Sequence, residues 1–417
     1  LVAERLYERA YTTRIDNGLR IFAEEDPQSR SVSVGTWINV GSRDDPDSSP
    51  GLAHFIEHLA FKGTTTRDAA QISREIDSVG GNLNAATGRE STVFYADVPA
   101  YGIDTALDLV VDLVRNPAFA PEKVNLERTV VLDEIRGHED DPEATAFDRF
   151  IAAVWDDGHA LSRSVLGTRE AIEAASHDEV AAHHDRHYHP EEMVLAASGA
   201  IEVHSFIDDV ARRFGLSDTP RETEVARIPP RFRDGRHHNE CAAGQSHIYI
   251  ALPGPPADDP DRYALELLNV ILGDGTSSRL FRAIREDRGL AYSVGSTFLR
   301  YTDAGLWMFY AGTAPNHTPE VQGLLEGEIS RLREEPPDGD EIALAKARLR
   351  GLFILGMEAN ANRAMRLGTA AVAGREILSP EEVLLKLDAV SAADIATVIE
   401  RFLCLEKLHV TTVGPST

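Results

Sequence analysis

The 417-residue chain is poor in cysteine, with only Cys241 and Cys404, and has four methionines and three tryptophans. Two cysteines so far apart in sequence offer no disulfide framework, so the fold must rest on its apolar core, and a reducing compartment is expected. No apolar run approaches the roughly 20 residues that span a bilayer. The N-terminal stretch LVAERLYERAYTTRIDNG has no signal-peptide core, and no membrane partner is expected. Basic residues are scarce as well: 42 Lys and Arg stand against 68 Asp and Glu, a net charge of -26. Without a basic run there is no electrostatic grip on nucleic acid or on an anionic membrane surface. The acidic surplus serves solubility. Its cations are mostly arginine, which fits a bacterial source of high GC content, and a cytoplasmic location is expected.

What is present describes an ordinary globular protein, 42% hydrophobic and 26% charged, long enough for two domains with separate cores. The polar, proline-containing stretch LSDTPRETEVARIPPRFRDG reads as a linker. The expected division is therefore residues 1–216, a linker at 217–235, and residues 236–417. The two lengths repeat one pattern. SHDEVAAHHDRHYHPEEMVLAASG from Ser176 aligns without gaps on SAADIATVIERFLCLEKLHVTTVG from Ser391, a helix and then an apolar strand. SVGGNLNAATGRESTVFYADVPA is likewise similar to YSVGSTFLRYTDAGLWMFYAGTAPN. Strand signals in the first half are GLRIFAEE, SVSVGTWINVG, STVFYADV and MVLAASG. In the second they are SHIYIALPG, AYSVGSTFLR, GLWMFYAG and HVTTVG. Several strands follow one another directly, which points to an α+β fold: two homologous units in tandem, each a mixed, mostly antiparallel sheet packed with helices.

The chemistry gathers around GLAHFIEHLAFKG. Ser49 is placed to cap a helix with Pro50 at its first position, and Gly63 to end it. At about 100° per residue, His54 and His58 stand one turn apart on a single face with Glu57 beside them. Two imidazoles at i and i+4 can reach one zinc, here with the glutamate ahead of the second histidine, the inverse of the HExxH order. By chance the pattern arises in roughly one chain in twenty of this composition. The helix is apolar on nearly every side, however, and a buried glutamate is costly without a cation or hydrogen bonds.

A zinc needs at least one more protein ligand. PEKVNLERTVVLDEIRGHED reads as a second helix from Pro121, with Val124, Leu126, Val130, Val131, Leu132 and Ile135 in one broad apolar sector. Glu127 and Glu134 fall inside that sector, seven residues apart and aligned within about 20°. A structural salt bridge would account for such carboxylates, but the two helices together also supply a His, His, Glu set. The denser cluster His183, His184, His187 and His189 is read as helix packing, because the first three fall opposite Val398, Ile399 and Phe402 in the repeat. His237 and His238 are read as solvated surface.

The chain resembles the pitrilysin/insulysin family of inverted-motif zinc metallopeptidases, in the branch of the mitochondrial processing peptidase β subunit and its bacterial relatives. The likeness runs from about residue 10 to 415 and rests on HFIEHLAFKGT, ERTVVLDEI, GGNLNAATGRESTVFYADV and DGTSSRLFRAIREDRGLAYSV. It implies one zinc per chain held by His54, His58 and Glu134, with Glu57 as catalytic base and Glu127 supporting the site from behind the ligands. It also implies that Arg285 and Tyr292, otherwise a helix-surface arginine and a strand-start tyrosine, serve the active site. Asn82, Leu83, Asn84, Ala85 and Ala86 match a strand to which substrate peptides add; read alone, they make an ordinary hairpin edge just as well. The implied function is an endopeptidase for unfolded peptides inside a chamber of four units. Two such chains would close it, as a homodimer or as a heterodimer with a related subunit. The competing expectations are a non-catalytic partner of the same family and a module stabilised by structural zinc.

Overall fold

Each half of the chain builds one sheet. The first holds β1 (Glu4–Tyr7), β2 (Ala10–Arg14), β3 (Arg20–Glu25), β4 (Ser31–Ile38), β5 (Asn82–Thr87), β6 (Thr92–Pro99) and β7 (Met193–Gly199). Their order is β1-β2-β3-β7-β4-β6-β5. The second holds β8 (Gly235–Glu240), β9 (Ser246–Gly254), β10 (Ala291–Arg300), β11 (Gly305–Thr313) and β12 (His409–Gly414), in the order β10-β11-β9-β12-β8. This computed structural model describes residues 3–215, 227–241 and 243–415, so most of the expected linker lies outside the described residues.

Without β1 and β2 the two sheets have the same order and the same sense. β3 pairs with β7, and β8 with β12, in parallel, while every other pair is antiparallel. The mixed, mostly antiparallel α+β fold with two homologous units is thus the observed one. The repeat reaches the capping chemistry. Ser176 accepts from the Glu179 amide at 3.2 Å and Ser391 from the Asp394 amide at 3.3 Å. Each acid reaches back to its serine's N–H, at 2.9 and 2.7 Å, a reciprocal box that opens both helices.

Five helices place the site: α1 (Leu52–Ala60), α2 (Ala69–Ser78), α3 (Ile103–Arg115), α4 (Pro121–Glu139) and α5 (Pro142–Val154). Contacts group the chain into two compact units. One comprises Leu1–Gly137, Arg163–Arg227 and Ile354–Ser379; the other comprises His138–Ser162, Ile228–Phe353 and Pro380–Thr417. Each unit therefore takes a helix from the other half of the sequence.

In the first unit α1 and α3 bury Phe55, Ile56, Leu59, Leu107 and Val110 against Val34, Ile38 and Phe94 on one sheet face. The opposite face, with Trp37, Val93, Val194 and Ala196, is covered by Leu367, Ala371 and Val372 of the helix Asn360–Val372. Gly368 allows that approach, since a Cβ there would stand 2.3 Å from the Trp37 ring. In the second unit the corresponding face is covered by α5, whose Phe150, Ile151 and Val154 pack with Tyr249, Ala251, Met308 and Val413. Phe150 stacks on Tyr249 at 5.0 Å between centroids. No helix among the described residues is long and apolar enough to cross a membrane.

Candidate metal centre

α1 follows β4 after a connection that contains the single turn Ser42–Asp44, and it buries Leu52, Ala53, His54, Phe55, Ile56, Leu59 and Ala60, the all-round burial its composition predicts. Its start differs from expectation. The N-cap is Gly51, in the left-handed region at φ 96°, and it provides no side-chain cap. Asp45 does so from outside the helix, accepting from the Gly51 amide at 2.7 Å and the Ala53 amide at 2.9 Å. Ser49 instead donates to Glu179 Oε1 at 3.2 Å, and Pro50 lies outside the helix. The turn at Gly51 moves the first free amides away from Ser49 and onto the buried carboxylate.

His54 and His58 stand one above the other, their ring centroids 4.6 Å apart. α4 runs beside them and brings up Glu134, whose Oε2 lies 3.3 Å from His58 Nε2 and 3.8 Å from His54 Nε2. Among the described residues these three form the one group of His, Cys, Asp or Glu side chains with atoms convergent enough for a metal, all within 4.8 Å of one another. Ligands about 2.0–2.2 Å from a tetrahedral zinc stand roughly 3.4 Å apart, close to what is seen. The second histidine cluster does not converge in this way. His183, His184 and His187 are buried in their helix, His183 3.7 Å from Asp45 and His184 3.0 Å from the Val114 carbonyl.

His58 Nδ1 meets Glu127 Oε1 at 2.9 Å, and Glu127 Oε2 meets Lys62 Nζ at 2.9 Å. Glu127 is 2% exposed, so its charge is held by these two partners. With the carboxylate accepting from Nδ1, the His58 ring turns its Nε2 toward Glu134. His54 is held neutral, its pKa lowered to about 4 by burial and then by His58. The lone pair of the neutral His54 ring and the Glu134 oxygen repel one another unless a cation lies between them. The donor set fits zinc, and the 43% exposure of the Glu134 side chain leaves solvent a route to an open position.

Glu57 points elsewhere, taking a short hydrogen bond from the Thr87 hydroxyl at the end of β5. Burial raises its pKa; the hydrogen bond from Thr87 and the charge of His58 oppose the rise. β5 is the edge strand of its sheet, paired only with β6. Asn82, Asn84 and Ala86 are exposed along it, alternating with Leu83, Ala85 and Thr87.

α4 corrects one expectation. Its buried stripe is narrow, Val124, Glu127, Val131 and Ile135, while Leu126 and Val130 are 60% and 46% exposed. Glu134 therefore sits at the rim of the stripe, not within it. Among the described residues the second unit has no counterpart of the centre. Its first helix after β9, Arg262–Leu272, contains no histidine. The 19-residue helix Gly339–Met357, laid end to end on α4, puts Ala345 and Leu352 where α4 has Glu127 and Glu134.

Arg285 and Tyr292 lie in this second unit and are paired with each other. Arg285 closes a wide π turn, Phe281–Glu286, and donates to the Tyr292 carbonyl at 2.7 Å. Its guanidinium also lies over the Tyr292 ring at 4.7 Å, and Tyr292 is 80% exposed at the start of β10. His237 and His238 are strand residues of β8: His238 is exposed, as expected, while His237 is half-buried and stacks on His409 at 5.1 Å. Lys62, Thr87 and Asp45 escaped the sequence reading. Lys62 alone had a signal, being one further step of four along the His54, His58 face.

A two-unit α/β protein with a His-His-Glu centre confined to its first unit is the class that fold and site define. Residues 20–169 match the insulinase family, peptidase family M16, and residues 174–349 match the family's domain described as the M16 inactive domain. The chain belongs to peptidase family M16. It is 38% identical over 398 residues to an uncharacterised zinc protease of Mycobacterium leprae, covering 94% of this chain and 88% of that one. It is 35% identical to another from Streptomyces coelicolor, with 93% and 85% covered. In fold it is similar to a peptidase M16 inactive domain from Pseudomonas fluorescens, with a TM-score of 0.90 at 19% identity and 98% of each chain covered. A protease from Helicobacter pylori gives the same score and identity, covering 98% of this chain and all of that one.

Proposed function

We propose that this chain is a zinc-dependent endopeptidase for unfolded peptides, with one zinc held by His54, His58 and Glu134. The observation that carries the reading is the convergence of both Nε2 atoms on Glu134 Oε2, with Glu57 on the same helix as the histidines. Bound there, zinc supplies Lewis acidity that polarises the scissile carbonyl and brings the pKa of water toward about 7. Glu57 takes the proton of the attacking water and hands it to the leaving amine; burial raises the pKa of that carboxyl, which makes it a stronger proton acceptor. Glu127 holds the His58 ring by Nδ1, and Lys62 holds Glu127. In this reading Arg285 and Tyr292 grip substrate and its developing oxyanion, supported by their mutual packing and the exposure of Tyr292.

β5 offers the peptide a free edge along Asn82, Leu83, Asn84, Ala85 and Ala86, giving backbone affinity with little demand on sequence. A dimer, by preference a homodimer, would enclose that peptide. Support comes from the helix Gly339–Met357, which exposes Leu344, Leu352 and Leu355 along one face.

The test is the Glu57→Gln variant with a mixed peptide library. We expect zinc to stay near one per chain while cleavage falls by at least about 100-fold, as for loss of a general base. Wild-type cleavage should stop on chelation. Unchanged cleavage by Glu57→Gln would end the proposed mechanism, and wild-type cleavage that survives chelation would end the zinc reading.

A further inference from the structure

The hairpin of β5 and β6 fixes which amides of β5 are free. Gly88 N–H donates to Ser91 O at 2.8 Å across the turn, which marks that pair as one whose backbone groups face each other, and in an antiparallel ladder every second pair is of this kind. Residue partners run Thr87 to Thr92, Ala86 to Val93, Ala85 to Phe94, Asn84 to Tyr95 and Leu83 to Ala96. The bonded pairs are therefore those at Ala86 and Asn84, and the N–H and C=O groups of Leu83, Ala85 and Thr87 face the free edge. Among the described residues Leu83 has no partner at that edge, while Ala85 keeps its C=O open and donates its N–H to the exposed Asn84 Oδ1 at 2.9 Å. The third is taken, because Glu57 accepts from the Thr87 backbone N–H as well as from the Thr87 hydroxyl.

We propose that Thr87 is a positioning residue that pins the Glu57 carboxylate at the end of the free edge of β5, so that an added peptide pairs with Leu83 and Ala85 only and passes to Glu57 in a fixed register. This rests on the endopeptidase reading but adds a residue and a register to it. The strand that grips the peptide and the base that works on it are joined at one residue, through its hydroxyl and its amide. A peptide cannot pair past Ala85 without meeting Glu57, so two alternate backbone positions carry the grip. The acidic side chain also cannot swing away from the line of the substrate backbone while the Thr87 bond holds.

Two experiments test this. Thr87→Val removes the hydroxyl at nearly constant volume, and Thr87→Ser keeps it. For zinc-loaded protein we expect Thr87→Val to lower kcat by about ten-fold or more, with KM and zinc content unchanged, and Thr87→Ser to recover most of the loss. A Thr87→Val kcat within about two-fold of wild type, or a Thr87→Ser loss as deep as that of valine, would overturn the positioning role. The second experiment needs no catalysis. Binding of a peptide to metal-free protein is followed while its amides are N-methylated one at a time. Weakening at two alternate positions is expected, and weakening at three or more, or at none, would overturn the register. If wild-type protein with zinc cleaves no peptide while the N-methyl pattern holds, the endopeptidase reading fails and the register of β5 stands.

Discussion

A single lysine decides how firmly the candidate centre is built. Glu127 is almost wholly buried, and a lone buried carboxylate is costly; Lys62 at 2.9 Å makes it tolerable and aims its other oxygen at His58 Nδ1. Removing that cation frees the carboxylate to turn, and with it the ring whose Nε2 faces Glu134. Lys62→Met should therefore weaken zinc binding by roughly 10- to 100-fold, the usual effect of losing a group that orients a ligand. Competition with a calibrated chelator measures it, and Lys62→Arg should restore part of the loss. Unchanged affinity in Lys62→Met would show that Glu127 needs no partner. The glutamates were legible from spacing, since seven residues bring two side chains to one side of a helix. Lys62 was not, because a lysine after an apolar helix is commonly solvated surface.

At the scale of elements, what was legible followed periodicity. All eight strands with apolar signals formed, and α4 begins at Pro121 where its punctuation placed it, while α1 runs from Leu52 to Ala60, inside the bounds that Ser49 and Gly63 suggested. β1, β2 and β8 were missed. β1 and β8, ERLY and GRHHNE, are edge strands half open to solvent, where alternation of apolar and polar residues is not required. The cap of α1 was misread because Asp45 reaches it through a loop, and local sequence cannot show that reach.

The helix His177–His187 was read through the repeat as core, and its burial has a consequence in acid. Burial lowers the pKa of His183 to about 3 and of His184 to about 4, and lowers that of His187. From about pH 6.5 down to about 4 the unfolded chain binds protons that these folded histidines refuse, so stability falls as pH falls. Asp45, raised to about 7 by burial, acts in the opposite sense: the folded state keeps its proton up to near neutral pH, and its contribution is lost as pH rises. Three histidines outweigh one aspartate. The urea midpoint of metal-free protein should drop between pH 7 and pH 4.5, by about 1.4 kcal/mol per pH unit for each net proton. A midpoint that held or rose over that range would contradict the account.

The whole molecule turns on a reciprocity that patterning could not show. α5 and the helix Asn360–Val372 each have a buried face, and an amphipathic helix announces that it will be covered without saying by which sheet. The first covers the sheet of the second half, and the second covers the sheet of the first half. Residues 1–227 alone would thus leave Trp37, Val93, Val194 and Ala196 bare and strand Phe150, Ile151 and Val154 without a surface. Each fully buried side chain of this size is worth about 1.5–3 kcal/mol, and a domain's net stability is only about 5–15 kcal/mol. Losing even this one layer removes a large part of the margin. Expressed alone, residues 1–227 should bind a hydrophobic dye strongly and melt without a sharp transition, whereas co-expression with residues 228–417 should restore a cooperative melt. A sharp, dye-free transition from residues 1–227 alone would show that the exchanged helices decorate cores that are already sufficient. The absence of recovery on co-expression would show that the exchange forms only while both halves belong to one chain.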